Sequence, residues 1–101
     1  MGSPQYGQLV LDGRPLTGAL SIEPCSLCWS DDGALLAAQE LVDWTDGPIT
    51  RVVVFDTKRL TQIAASPDRA GLGNPDRFEG SSLVYRHWHH EAGERGFRLE
   101  L

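Results

Sequence analysis

An all-β fold of antiparallel strands is what this sequence predicts, and three observations carry it. Residues 49–56 contain Arg51-Val52-Val53-Val54-Phe55, a β-branched and aromatic run that is apolar on both faces. Residues 96–101 alternate Phe97, Leu99 and Leu101 with Arg98 and Glu100, the period of a half-buried strand. Turn formers punctuate the chain at Asp12-Gly13, Asp31-Asp32-Gly33 and Asp46-Gly47-Pro48.

Taken in order, residues 5–11 read as a strand, and Asp12-Gly13 supplies the positive-φ positions of a tight hairpin. Residues 16–22 return as its partner, and Pro24 ends the segment because proline has no N–H for a ladder. Residues 25–29 are a short apolar run leading into the turn Trp29-Ser30-Asp31-Asp32-Gly33. Residues 34–44 admit two readings. Ala34-Leu35-Leu36-Ala37-Ala38-Gln39-Glu40-Leu41 consists of helix formers that Ser30 or Asp31 would cap. As a strand the same segment needs both faces buried, with Leu35, Ala37 and Leu41 on one and Leu36, Ala38 and Val42 on the other.

Residues 49–56 form the most secure strand. Val52 and Val54 face one side, Val53 and Phe55 the other, so the strand belongs in the middle of a layered structure. Thr57-Lys58-Arg59 turns the chain, and residues 60–65 pair back. Residues 66–80, with Pro67, Pro75, Gly71 and Gly73, read as a long loop, a candidate lid over a ligand. Residues 82–90 form the next strand, 92–95 its turn, and 96–101 the last strand.

The length of 101 residues is one domain, with a thin core. The net charge is −5, from 14 acidic and 9 basic side chains, which argues against a nucleic-acid partner. Eight of those nine bases are arginine, Lys58 being the exception, a bias expected of a GC-rich bacterial genome. No run approaches the roughly 20 apolar residues of a membrane span, and the first residues lack the basic and apolar regions of a signal peptide. A cytoplasmic protein with no membrane partner is the expectation.

The pattern Trp29-Ser30-Asp31-Asp32-Gly33, then Leu35-Leu36-Ala37, then Val52-Val53-Val54-Phe55-Asp56-Thr57 resembles one blade of a β-propeller of the WD40 or TolB-like kind. It covers residues 25–65, lacks the Gly-His dipeptide of such blades, and has Phe55 where Trp is commoner. The resemblance implies that Asp32 and Gly33 form an inter-strand turn and that Asp56 ends an outer strand. A second unit would gather residues 5–11, 16–22, 82–90 and 96–101. The expected architecture is therefore two antiparallel four-stranded sheets resembling two propeller blades, with an α+β alternative if 34–44 is a helix. Two blades do not close a ring. They stack as a sandwich-like pair or are completed by a second copy, so a homodimer is expected.

Candidate chemistry centres on two motifs. Cys25-Ser26-Leu27-Cys28, with His87 and His89, has the ligand types of a zinc site, although residues three apart on a strand point to opposite faces. His87-Trp88-His89-His90 places His87 and His89 on the face of Leu83 and Tyr85, and Trp88 with Arg86 and His90 on the other. Arg86 and Trp88 are residue types enriched at interface centres, so Arg86, Trp88 and His90 are the candidate binding surface. No nucleophile elbow, phosphate loop or Ca²⁺ loop is present, and Asp31, Asp32, Asp43 and Asp46 read as turn chemistry. The function expected is a small non-catalytic binding or interaction module without a cofactor, working through its sheet surface, for example as an acidic inhibitor of a basic toxin. The alternative is a zinc-binding protein or metal-dependent enzyme built on the His87/His89 strand.

Overall fold

The computed structural model describes residues 27–43 and 45–101, together with the backbone of four two-residue strands: Tyr6–Gly7 (β1), Val10–Leu11 (β2), Arg14–Pro15 (β3) and Leu20–Ser21 (β4). β1 pairs with β4 and β2 with β3, both antiparallel. Expectations for the rest of residues 1–26, including Cys25, and for Trp44 lie outside the described residues.

Eight further strands follow: Cys28–Trp29 (β5), Leu35–Asp43 (β6), Ile49–Asp56 (β7), Thr61–Ala65 (β8), Arg69–Ala70 (β9), Leu72–Glu79 (β10), Ser82–His89 (β11) and Gly93–Glu100 (β12). They form two antiparallel sheets. One runs β5-β6-β7-β8, with β9 paired to β7 beyond the end of β8. The other is the meander β10-β11-β12. The described residues contain no helix, and of the segment 34–44 residues Leu35–Asp43 are the strand β6.

That outcome follows from burial. Leu35 pairs with Asp56, Ala37 with Val54 and Gln39 with Val52 on one face. Leu36 pairs with Phe55 and Ala38 with Val53 on the other. Leu36, Ala37, Ala38, Val52, Val53, Val54 and Phe55 are all buried, as a strand covered on both faces requires. Good helix propensity, worth a few tenths of a kcal/mol per residue, loses to this two-sided burial. The turn before β6 is built by its own side chains. Asp32 Oδ1 accepts from Ser30 Oγ at 2.8 Å and from the Ala34 amide at 3.0 Å. Those bonds hold the Asp32 carboxyl below its ordinary pKa, the Ala34 amide contributing most. Gly33 takes a φ of 72°, the left-handed region that glycine enters without strain.

The core lies between the sheets, where Ala37, Val52 and Val54 meet Leu83 and Tyr85. Cys28, Leu35, Ala64, Phe78, Phe97 and Leu99 pack around them. Tyr85 stacks on Phe97 at 5.5 Å between centroids.

Three expectations are corrected. Residues 66–80 are not a loop: they contain β9 and the eight-residue β10. The second sheet therefore consists of β10, β11 and β12, and β1 pairs with β4 instead of joining it. Pro75 is tolerated in β10 because β10 stands at the edge of its sheet, paired among the described residues only with β11. The last strand also begins earlier than expected, at Gly93 rather than residue 96.

Polar side chains of the first sheet cap β10. The Gln39 amide donates to the Gly73 carbonyl at 2.6 Å. The Thr50 hydroxyl donates to the Gly71 carbonyl at 2.9 Å and accepts from the Gly73 amide at 3.1 Å. Both side chains are fully buried, so these bonds satisfy backbone groups that water does not reach. Gly73 permits the approach: a Cβ there would sit 3.1 Å from Val52 Cγ2 and 3.3 Å from His87 Nδ1.

Ser66 fills the break between β8 and β9. Its amide donates to the Val52 carbonyl at 2.8 Å, and its hydroxyl accepts from the Val52 amide at 2.9 Å. One residue thus continues the ladder along β7 and lets the chain turn through Pro67 into β9.

A cationic cleft beside the histidine strand

Alternation along β11 sends Leu83, Tyr85, His87 and His89 to the inner face and Arg86 and Trp88 to the outer. Cross-strand pairing then sets rows on the inner face. Tyr85 stands between Pro75 and Phe97, and His87 between Gly73 and Arg95. The rows toward Leu83 are covered by the first sheet. The rows toward His89 run past it.

Arg69 comes to this place through β9, whose pairing with β7 sets Arg69 opposite Thr50 and Ala70 opposite Ile49. The Ala70-Gly71 link is tightly held. His87 Nε2 donates to the Ala70 carbonyl at 2.7 Å. The Gly71 amide donates to the Pro48 carbonyl at 2.8 Å, and the Gly71 carbonyl receives the Thr50 hydroxyl. Gly71 has a φ of 107°, and a Cβ there would collide with the Trp88 carbonyl oxygen.

The result is an open cleft of about 300 Å³ between β9 and the uncovered end of β11 and β12. Arg69, His87, His89, Arg95 and Phe97 line it, with the turn at Ala92-Gly93 as its lip. Among the described residues no carboxylate lines it, in a chain whose net charge is −5. The Arg69 guanidinium lies over the Phe97 ring, its carbon 4.1 Å from the centroid, a cation–π placement that fixes its plane. Its Nε is buried and has no hydrogen-bond partner among the described residues. Among the described residues, Arg69 and Arg95 have no ion-pair partner, whereas Arg51, Arg77, Arg86 and Arg98 each have a carboxylate.

His87 is only 7% exposed. Burial pushes its pKa below the ordinary 6.5, and the positive charge of Arg69 and His89 pushes the same way, against the Ala70 carbonyl bond. With Nε2–H committed to Ala70, the neutral ring keeps its proton on Nε2. His89 Nδ1 accepts from the Glu91 amide at 3.2 Å.

The other candidates fall elsewhere. Arg86 lies on the solvated outer face, in an exposed ion pair with Glu94 at 2.9 Å. Trp88 is 47% exposed at the end of that face. His90 follows β11 and packs against His89 with the rings tilted, 4.4 Å between centroids. Trp88 and His90 border a second, smaller pocket of about 80 Å³ with Asp46, Pro48, Ala70, Gly71 and His89. Arg86 borders neither pocket. Cys28 packs into the core beside Phe78, where burial raises its thiol pKa. It does not join His87 and His89, and among the described residues no three histidine, cysteine or carboxylate groups gather as metal ligands.

Sequence reasoning picks out the histidines and misses Arg69, Arg95 and Phe97, because it places Arg69 in a loop and Arg95 in a turn. The usable signal is the absence of a carboxylate partner, which only the fold displays. No protein family, curated protein or solved structure matches the chain.

Proposed function

We propose that this chain is a small binding module that captures an anionic group, a phosphate or carboxylate, in the cleft between Arg69 and Arg95. The observation that carries the reading is the Arg69 guanidinium, held over Phe97 with a buried Nε–H and no acceptor among the described residues. A buried donor without a partner costs about 1–3 kcal/mol, and an anion's oxygen supplies the missing acceptor. Arginine's planar fork suits a carboxylate or phosphate, and a fixed guanidinium loses little entropy on binding. The described lining residues, with Arg69, Arg95 and the histidines among them, are suited to hold and orient an anionic ligand. His89, whose Nδ1 accepts from the Glu91 amide, has its Nε2–H left as a further donor.

Calorimetric titration with inorganic phosphate at low ionic strength tests this. Saturable one-to-one binding is expected, weakened at least about fivefold by Arg69→Ala and by Arg95→Ala, as for loss of a charge-assisted hydrogen bond. Arg86→Ala, on the outer face, leaves it unchanged. Equal weakening by all three would mean general electrostatic attraction and would overturn the proposal.

A further inference from the structure

The two pockets are continuous in a way that bears on the ligand. Both are lined by Ala70 and His89, so these residues form a ridge with one pocket on each side. The ridge is anchored by the bonds to Ala70 and Gly71 described above, so the two sides keep a fixed relation. Their electrostatics are opposite. On one side stand Arg69 and Arg95, with no carboxylate among the described lining residues. On the other, Asp46 is the acidic group. Asp46 has no hydrogen bond or ion pair among the described residues, unlike Asp32 and Asp56, whose carboxylates are spent on backbone amides.

We infer that the ligand is dipolar: its anionic group sits between Arg69 and Arg95, and a cationic group crosses the Ala70/His89 ridge to Asp46. This rests on the anion-binding reading and adds the second charge. An ammonium or guanidinium is attracted by a free carboxylate. A plain dianion has nothing to gain from the Asp46 side and is repelled by it. The chemistry is that of an amino-phosphate or an amino acid-like zwitterion.

The test compares ω-aminoalkyl phosphates of increasing chain length with the alkyl phosphates of the same lengths, by calorimetry at pH 7.5. At the length that spans the ridge, the amino compound should bind about two- to fivefold tighter, the gain expected of an exposed ion pair. Asp46→Asn should abolish that gain and leave alkyl phosphate binding unchanged. Equal affinity of the two series at every length overturns the dipolar inference and leaves the anion site standing. So does a gain that survives Asp46→Asn. Failure of every alkyl phosphate to bind the unaltered protein overturns both.

Discussion

Replacing Thr50 by valine keeps the shape of a buried side chain and removes one hydroxyl. That hydroxyl makes two bonds to β10, to the Gly71 carbonyl at 2.9 Å and from the Gly73 amide at 3.1 Å. Thr50 is fully buried, so water does not replace it. Each stranded backbone group costs about 1–3 kcal/mol. Some relaxation of β10 relieves part of this, and a net loss of about 2–4 kcal/mol is expected. For a 101-residue chain whose stability is of order 5–15 kcal/mol, that is a large fraction. With a urea m-value of about 1.5 kcal/mol per M, the unfolding midpoint falls by roughly 1.5–2.5 M. Thr50→Ser is the control: it keeps both bonds, loses one methyl, and costs about 1 kcal/mol. Urea unfolding of the parent and the two variants decides. A Thr50→Val variant within about 1 kcal/mol of the parent would refute the view that this hydroxyl joins the sheets. So would a Thr50→Ser variant less stable than the valine one.

Three further outcomes are expected. Ser66→Ala leaves the Val52 amide without its acceptor, and the loss of about 1–3 kcal/mol should appear with faster hydrogen exchange at Val52; unchanged protection there would contradict the patch between β8 and β9. Gly71→Ala combines a left-handed φ with a collision at the Trp88 carbonyl, and should cost more than about 2 kcal/mol in thermal or urea unfolding. His87 has a folded pKa below its unfolded value, so between the two the unfolded chain binds more protons and stability rises with pH. Its contribution is complete above the ordinary value of 6.5 and is lost as pH falls through the folded value. The stability difference between the parent and His87→Gln should therefore shrink on acidification below that point, and a difference that grows would reverse the assignment.

Much of the architecture is legible in the sequence because it follows from local pattern. Val52, Val53, Val54 and Phe55 announce a strand buried on both faces, and it is buried on both. The alternation in β11 separates Tyr85, His87 and His89 from Arg86 and Trp88, as the burial shows for Tyr85 and His87 against Arg86 and Trp88. Residues 34–44 are ambiguous in sequence because propensity and two-sided burial disagree, and burial against β7 is long-range information. β10 is hidden by the residues that make it possible. Gly71 and Gly73 look like loop formers, yet Gly73 is small because Val52 of the facing sheet comes close, and Gly71 because the Trp88 carbonyl does and its φ is left-handed. Pro75 looks like a strand breaker, yet an edge position accepts it.

The cleft is less legible for the same reason. Arg69 and Arg95 are separated along the chain and meet only because β9 pairs with β7 while β12 pairs with β11. The blade-like pattern of residues 25–65 corresponds in the fold to a four-stranded antiparallel meander, β5 to β8. The motif His87-Trp88-His89-His90 gathers its meaning from the strands around it. His87 bonds a backbone carbonyl, and His89 faces two pockets at once.

The most direct measurement of the central claim is the side-chain Nε–H resonance of Arg69, followed by ¹H–¹⁵N NMR as inorganic phosphate is added. A buried donor that gains an oxygen acceptor should move downfield along one line and saturate, while the Arg86 Nε–H on the outer face stays in place. An Arg69 resonance that does not move, or one that drifts together with Arg86 without saturating, would contradict the anion site.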